Sequence, residues 1–297
     1  MDGLRFFRTF LAVARHGSFS EAAQHVGLTQ AAVSFQMRTL ETELARKLFD
    51  RSGRIARLNA EGRELVPEVE ALLGAYDRIR QPRARQGELA GSVTIGALVS
   101  CMHTLLRVTS RLKQEHPALD IRIQHGQSHG LAARVMAGDI DAAFVVESNH
   151  LSPALRWSPM YAEALVVLTH AQAGGTCAAE VLALNPYLRF DPTQRTGALA
   201  EKVLRELGLN IEPFMELNSI GELTSLIEQG VGATLVPRLR DGGWLGNPRL
   251  RVLPLPHPVE APARHIGMVE RNDHARRAIT DVIRERCAQA WRESPPN

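Results

Sequence analysis

Between Thr29 and Arg38 the chain reads TQAAVSFQMR, and helical spacing puts Gln30, Ala31, Ser34, Phe35 and Arg38 on one face. Gln30 and Ser34 offer donors and acceptors that match base edges, Ala31 or Phe35 suits a thymine methyl, and Arg38 adds a cation. Short side chains at the start of such a helix have a mechanical use. They let the backbone enter a groove about 12 Å wide, from which long side chains would hold it away. A cationic set follows in LFDRSGRIARLNAEG, where Arg51, Arg54 and Arg57 stand three apart around the turn signal Ser52–Gly53. That is the pattern of a β-hairpin whose cations meet phosphates, which sets affinity and register but not sequence choice. Residues 1–60 hold nine Arg/Lys against five Asp/Glu, so the formal excess of the chain lies where these groups lie.

The elements that must position them are legible from spacing. Phe7, Phe10, Leu11 and Ala14 recur with helical period over about residues 4–16. Gly17 can end that helix, and Ser20 can cap the next, which Ala22, Ala23 and Val26 pack closely against its neighbour. Gly27 closes the second helix and Leu28 plugs the turn. Thr29 or Gln30 starts the third, whose buried side is Val33, Met37, Leu40 and Leu44. A helix, a tight glycine turn and a second helix with small exposed residues at its start make a helix-turn-helix. Ser20, Thr29, Gln30, Ala31, Ser34, Phe35, Arg38, Arg51, Arg54 and Arg57 are its candidate DNA-facing residues. By shape alone, a helical hairpin in any α-rich domain fits equally well.

Residues 1–62 resemble the winged helix-turn-helix of LysR-type transcriptional regulators, the matching run being FLAVARHGSFSEAAQHVGLTQAAVSFQMRTLETELARKLFDRSGRIARLNAEG. The order of the blocks carries the resemblance: GSFS.AA, then TQAAVS…R.LE.EL, then LF.R…R…LN..G. Ala31 stands where that family usually has proline, Phe35 where a polar or basic residue is common, and Ala45 where glycine is common. The resemblance implies double-stranded DNA, a small-molecule effector, a homodimer or homotetramer and RNA polymerase as partners, with no membrane and no cofactor.

After Asn59, which can cap a helix, Gly62, Leu65, Val69, Leu72, Tyr76 and Ile79 keep four-and-three spacing, the pattern of a coiled-coil seam. A core helix packed on its own domain is the alternative, but two-strand pairing is favoured because the seam has no evident partner elsewhere in the chain. Within LysR-type regulators this segment is the linker helix that forms a dimer. From Ser92 strands alternate with helices, the order of a parallel sheet with helices on its faces. The resemblance implies two α/β subdomains like those of periplasmic solute-binding proteins, with crossings near Tyr161–Val166 and Arg264–Met268. The expected architecture is α/β, with an N-terminal all-α winged helix-turn-helix over 1–59 and a linker coiled-coil helix over 60–90. A C-terminal effector-binding domain fills 91–297, with subdomain I about 91–162 and 266–297 and subdomain II about 163–265.

In open parallel sheets, ligands bind beyond the carboxyl ends of strands, where helix amino termini present free N–H groups. Here those positions are Ser100, Cys101, Met102 and His103, then Gln127, Ser128 and His129, then Asn218 and Ser219; Phe190, Arg195 and Thr196 are candidates for the opposite wall. Helix dipoles there favour a polar or anionic effector. Each serine is equally well a plain helix cap. Cys101 raises a redox alternative, since a thiol at a helix start can have a lowered pKa. An α/β enzyme with an accessory helical domain would need a catalytic constellation, and GQSHG around Ser128 is a mediocre nucleophile elbow with no acid–histidine companion. No metal-ligand spacing occurs among the histidines. Cys101, Cys177 and Cys287 form no CxxC, and the apolar start of the chain is too short and too charged to span a membrane. The expectation is a cytoplasmic protein with reduced thiols. A solute-binding protein for transport would need an export signal, and none is evident.

Overall fold

The computed structural model describes residues 3–50, 57–80 (backbone only for 77–80), 88–148, 150–240, 244, 246–256 and 262–293. They form two compact units, one of residues 1–91 with 116–119, the other of residues 92–115 with 120–297.

The first unit opens with α1 (Gly3–His16), which Gly17 ends at φ 71°. α2 (Phe19–Val26) is capped by Ser18 and not by Ser20: the Ser18 hydroxyl accepts from the Glu21 N–H, while Ser20 is exposed inside the helix. The left-handed Gly17 sends the chain into the extended conformation at Ser18 that an N-cap requires, two residues early for Ser20. Gly27, at φ 67°, closes α2. α3 (Gln30–Glu43) starts on Thr29, whose hydroxyl accepts from the Ala32 N–H at 3.2 Å. Phe10, Ala22, Val33, Met37 and Leu40 have no exposed surface and form the centre of this core. Leu44, expected inside, is the half-buried C-cap of α3. The chain then leaves through Ala45, the one described non-glycine residue at positive φ (52°). The Ala45 and Arg46 N–H groups bond back to the Thr42 and Glu41 carbonyls, the paired contacts of a Schellman ending.

Buried Glu41 receives the Leu48 and Phe49 N–H groups and so fixes the start of β1 (Phe49–Asp50), which pairs antiparallel with β2 (Arg57–Leu58). Phe49 meets the Phe10 and Phe19 rings edge-on. α4 (Ala60–Arg80) is capped by Asn59, which accepts from the Gly62 N–H and donates to the Lys47 carbonyl. A Cβ on Gly62 would lie 2.3 Å from the Leu48 carbonyl oxygen, so only glycine lets α4 start this close to the wing. Leu65, Val69 and Leu73 of α4 are buried in the unit's own core, whereas Leu72 is 45% exposed. Of the expected seam, Leu65 and Val69 pack on the helix's own domain in the i, i+4, i+8 row with Leu73, Leu72 is left outside, and the Ile79 side chain lies outside the described residues.

The second unit is built on a nine-stranded sheet in the order β4-β3-β5-β11-β6-β9-β7-β8, with β10 also on β6. Its first half holds β3 (Gly91–Ala97), α5 (Val99–Glu115), β4 (Leu119–His125), α6 (Ser128–Ala137) and β5 (Ala142–Val146). The long β6 (Leu155–His170) leads into α7 (Ala178–Leu184), β7 (Tyr187–Phe190), α8 (Arg195–Glu206), β8 (Pro213–Leu217), α9 (Ile220–Glu228), β9 (Ala233–Pro237) and β10 (Leu250–Pro254). β11 (Ala263–Arg271) and α10 (Arg277–Glu293) complete it. The sheet is mixed, not parallel throughout. β3 with β5, and β7 with β8 and β9, run parallel, but β6 runs antiparallel to β9, β10 and β11. The reason is that β6 runs through both halves of the sheet: its first part, residues 155–164, pairs with β11, and its second part, residues 165–170, with β9 and β10. The register of β6 and β11 slips between Ile266 and Gly267, opposite Pro159, which has no N–H for the ladder. Separate cores pack around α7 and α8, around α9, and around α6. No helix among the described residues is long and apolar enough to cross a membrane.

Candidate nucleic-acid interface and effector cavity

On α3 the inward row is consumed by the core, which leaves the opposite row outward. Gln30, Ala31, Phe35 and Arg38 are exposed and Ser34 is half-buried, so all five keep surface on that face. Phe35 is 68% exposed, an unusual state for a phenyl ring beside a well-packed core. Thr29 is engaged as the cap, and Ser20 lies exposed on α2. Arg57 is exposed on β2 opposite Asp50, while Arg51 and Arg54 lie outside the described residues.

In the second unit a cavity of about 920 Å³ opens beyond the carboxyl ends of β3, β4, β5 and β7. One wall is apolar, with Ala132, Ala133 and Met136 of α6, Leu151, Leu155 and Trp157. The other is polar, with Asp191, Thr193, Gln194, Arg195, Thr196, Asn218 and Ser219. The starts of α6, α8 and α9 all border it. Gln127 and Gln194, which cap α6 and α8, make no side-chain cap bond, so first-turn N–H groups of both helices keep their hydrogen-bonding capacity. α8 sits tightly on the end of β7, because a Cβ on Gly197 would lie 2.0 Å from the Asp191 carbonyl oxygen. Asp191 is the one carboxylate on the wall among the described residues; bonds from the Thr193 hydroxyl and the Gln194 amide hold its pKa below the usual range.

Two arginines face this space. Arg195 reaches from α8 across to the segment after β5, donating to the Glu147 carbonyl and, at 3.1 Å, to the Ser148 hydroxyl. Arg264, 6% exposed, donates through Nε to Glu163 at 2.8 Å, through Nη1 to Thr196 at 2.9 Å and through Nη2 to Ser100 at 3.3 Å. It thereby ties the start of α5, the strand β6 and the start of α8 around one guanidinium. Glu163 also accepts from the Tyr161 hydroxyl and the Arg240 N–H. The Tyr161 ring meets Trp291 at 4.8 Å, and the Arg240 guanidinium lies over it at 5.4 Å.

Of the candidates at strand ends, Ser128, Phe190, Asn218 and Ser219 stand on the cavity wall, as do Gln127, His129, Arg195 and Thr196. Ser100, Cys101, Met102 and His103 do not. α5 begins directly at Val99, and its first turn puts Val99 into the cavity but rotates Ser100 and Cys101 into the interior and leaves His103 exposed. Ser100 reaches the wall only through Arg264. Ser128 is committed to the Val146 N–H, and Ser219 to capping α9. Burial pushes the Cys101 thiol up to about 12, the hydrogen bond to Tyr161 offsetting only part of that. Cys101 is fully buried, so its thiol is not the solvent-exposed group that reactive cysteines present. Sequence reasoning missed Arg264 as a wall residue, along with Met136 and Trp157. Trp157 lies on the irregular half of β6, and its indole N–H is buried without a partner among the described residues. Its ring crosses Gly267, where a Cβ would come within 2.2 Å.

A helix-turn-helix with an outward row of small and polar residues, joined in one chain to a two-walled α/β cavity, is the build of a ligand-responsive DNA-binding regulator. Comparison with known proteins agrees. Residues 4–63 match the model for bacterial regulatory helix-turn-helix proteins of the lysR family, and residues 86–292 match the LysR substrate binding domain. The HTH-type transcriptional regulator YusT of Bacillus subtilis is 27% identical over 251 residues, 84% of this chain and 83% of YusT. CzcR of Bacillus anthracis is 29% identical over 235 residues, covering 79% of this chain and 80% of CzcR. A full-length OxyR variant from Pseudomonas aeruginosa has the same fold at 21% identity, with a TM-score of 0.62 over 96% of this chain and 94% of that one. The chain belongs to the LysR family of transcriptional regulators. It is a DNA-binding regulator with an effector-binding domain, not an enzyme.

Proposed function

We infer that residues 1–59 bind operator DNA, that 60–90 link and pair two chains, and that 91–297 bind a polar or anionic small molecule between subdomains I and II. Gln30, Ser34 and Arg38 would meet base edges from α3, with Arg57 and the wing arginines Arg51 and Arg54 on phosphates. Exposed Leu72 on α4 supports pairing in a homodimer or homotetramer, which presents two α3 helices to half-sites one or more helical turns apart. The regulator then works on RNA polymerase in the cytoplasm. An effector shifts this assembly only by as much as it prefers one arrangement over another.

The observation that carries the effector reading is the charge of the cavity. Arg195, Arg264 and the uncapped starts of α6 and α8 face a single described carboxylate, Asp191, which is already satisfied. Arg264 is neutralised by Glu163 and the ionised Asp191 offsets Arg195, so the helix N–H groups supply the net attraction for an anion and Arg195 a directional donor to it. The test is thermal stabilisation of the full chain by a panel of small carboxylates and their amides. Carboxylates should raise the melting temperature, by linkage, and Arg195→Met should reduce the gain. Stabilisation by amides or cations alone, or none across the panel, would overturn the reading.

A further inference from the structure

We propose that Phe35, with Ala31 one turn before it, reads the C5-methyl group of a pyrimidine in the major groove. The proposal rests on α3 being the reading helix, and it concerns how that helix chooses a site. The buried row of α3 is complete without Phe35: Val33, Met37 and Leu40 have no exposed surface, and Phe35 lies on the other side of the helix. Its phenyl ring, 68% exposed, is therefore a large apolar surface that the fold of this unit does not use. Ala31 is exposed at i−4, so the two form one continuous apolar strip with Gln30 and Arg38 beside it. Only one group at the floor of the major groove is apolar: the methyl at C5 of thymine. A 5-methylcytosine carries the same methyl at the same edge. The excess of positive charge in residues 1–60 makes a polyanion, not an apolar protein face, the partner that this strip meets.

The contact predicts a form of recognition that hydrogen bonding cannot give. Replacing thymine by deoxyuridine removes the methyl and leaves every donor and acceptor in place. A duplex selected by the full chain from a randomised library is the probe, with affinity read by fluorescence anisotropy at fixed salt. At one or two positions in each half-site, deoxyuridine should weaken binding by roughly 4-fold, the factor that corresponds to about 0.8 kcal/mol for one buried methyl. Phe35→Ala should bind the thymine duplex correspondingly less well and be indifferent to deoxyuridine there, whereas Phe35→Leu should keep part of the discrimination. Placing a 5-methylcytosine·guanine pair at the same position should bind better than cytosine·guanine, which separates the methyl from the rest of the base. Indifference of the wild type to deoxyuridine at every position, or undiminished sensitivity in Phe35→Ala, would overturn the proposal while leaving α3 as the reading helix. If Gln30→Ala and Ser34→Ala also leave site choice unchanged, α3 is not the reading helix and the proposal falls with it.

Discussion

Removing the charge of Glu163 should destabilise the effector-binding unit more than almost any other single substitution. The Glu163 side chain is 1% exposed and that of Arg264 6%, so neither charge is screened by water. Glu163→Gln keeps the size of the side chain but leaves Arg264 with only neutral acceptors, the new amide oxygen and the Thr196 and Ser100 hydroxyls, for its positive charge. Breaking a buried pair by removing one partner costs about 3–5 kcal/mol. With a urea dependence of about 2 kcal/mol per molar, the unfolding midpoint should fall by roughly 1.5–2.5 M. All three tryptophans, Trp157, Trp244 and Trp291, lie in this unit, so intrinsic fluorescence follows it without a signal from the DNA-binding unit. Arg264→Met should cost a similar amount. The double substitution, which buries no unpaired charge, should cost at least about 2 kcal/mol less than the sum. Strict additivity, or single variants within about 0.5 kcal/mol of wild type, would refute this account of the network.

Three further outcomes follow from local geometry. Burial alone would raise the Glu270 pKa, but bonds from His274, Arg156 and Thr280 outweigh it and hold the carboxyl at about 2. A depressed carboxylate stabilises the fold above its unfolded pKa, so on the order of 3 kcal/mol should be lost as pH falls from about 4.5 to 2. Urea midpoints measured across that window should fall in wild type, and those of Glu270→Gln should be flatter. Gly267→Ala should cost about 1–3 kcal/mol by overpacking and shift the Trp157 emission, because the new methyl meets its ring; an unchanged spectrum would contradict the packing. Ala45→Gly should stabilise the DNA-binding unit by about 0.5–1 kcal/mol, since relief of the left-handed strain exceeds the entropy glycine gains when unfolded. A lower melting temperature by helical circular dichroism would contradict that.

The DNA-binding unit is legible in the sequence because its turns are written in residues with few alternatives. Gly17 and Gly27 sit at positive φ, Thr29 and Asn59 cap, and the row Val33–Met37–Leu40 has one helical reading. The cap of α2 falls on Ser18 instead of Ser20 because the two are chemically alike and only the conformation set by Gly17 separates them. The seam on α4 departs from its expected row for a related reason: Leu72 and Leu73 are adjacent, and whether the row turns to its own domain or outward depends on tertiary packing. In the effector-binding unit the parallel βαβ order is plain, but β8, at the sheet edge, exposes nearly every side chain and shows no alternation. The amino half of β6 pairs through an irregularity and carries Pro159, so LRWSPM gives no strand signal and Trp157 is hidden with it. Ser100 and Cys101 fall inside, off the wall, because a strand end predicts the neighbourhood of a site but not which way the first helical turn rotates its side chains.

The outward row of α3 is the claim on which the regulatory account stands, and paired titrations of the full chain test it most directly. Wild type, Gln30→Ala and Ser34→Ala are each titrated with a selected operator duplex and with a scrambled duplex at the same salt. Loss of a base contact costs about 1–3 kcal/mol, so each variant should bind the operator roughly 5- to 150-fold more weakly and the scrambled duplex as before. Operator affinity equal to wild type in both variants would contradict the claim.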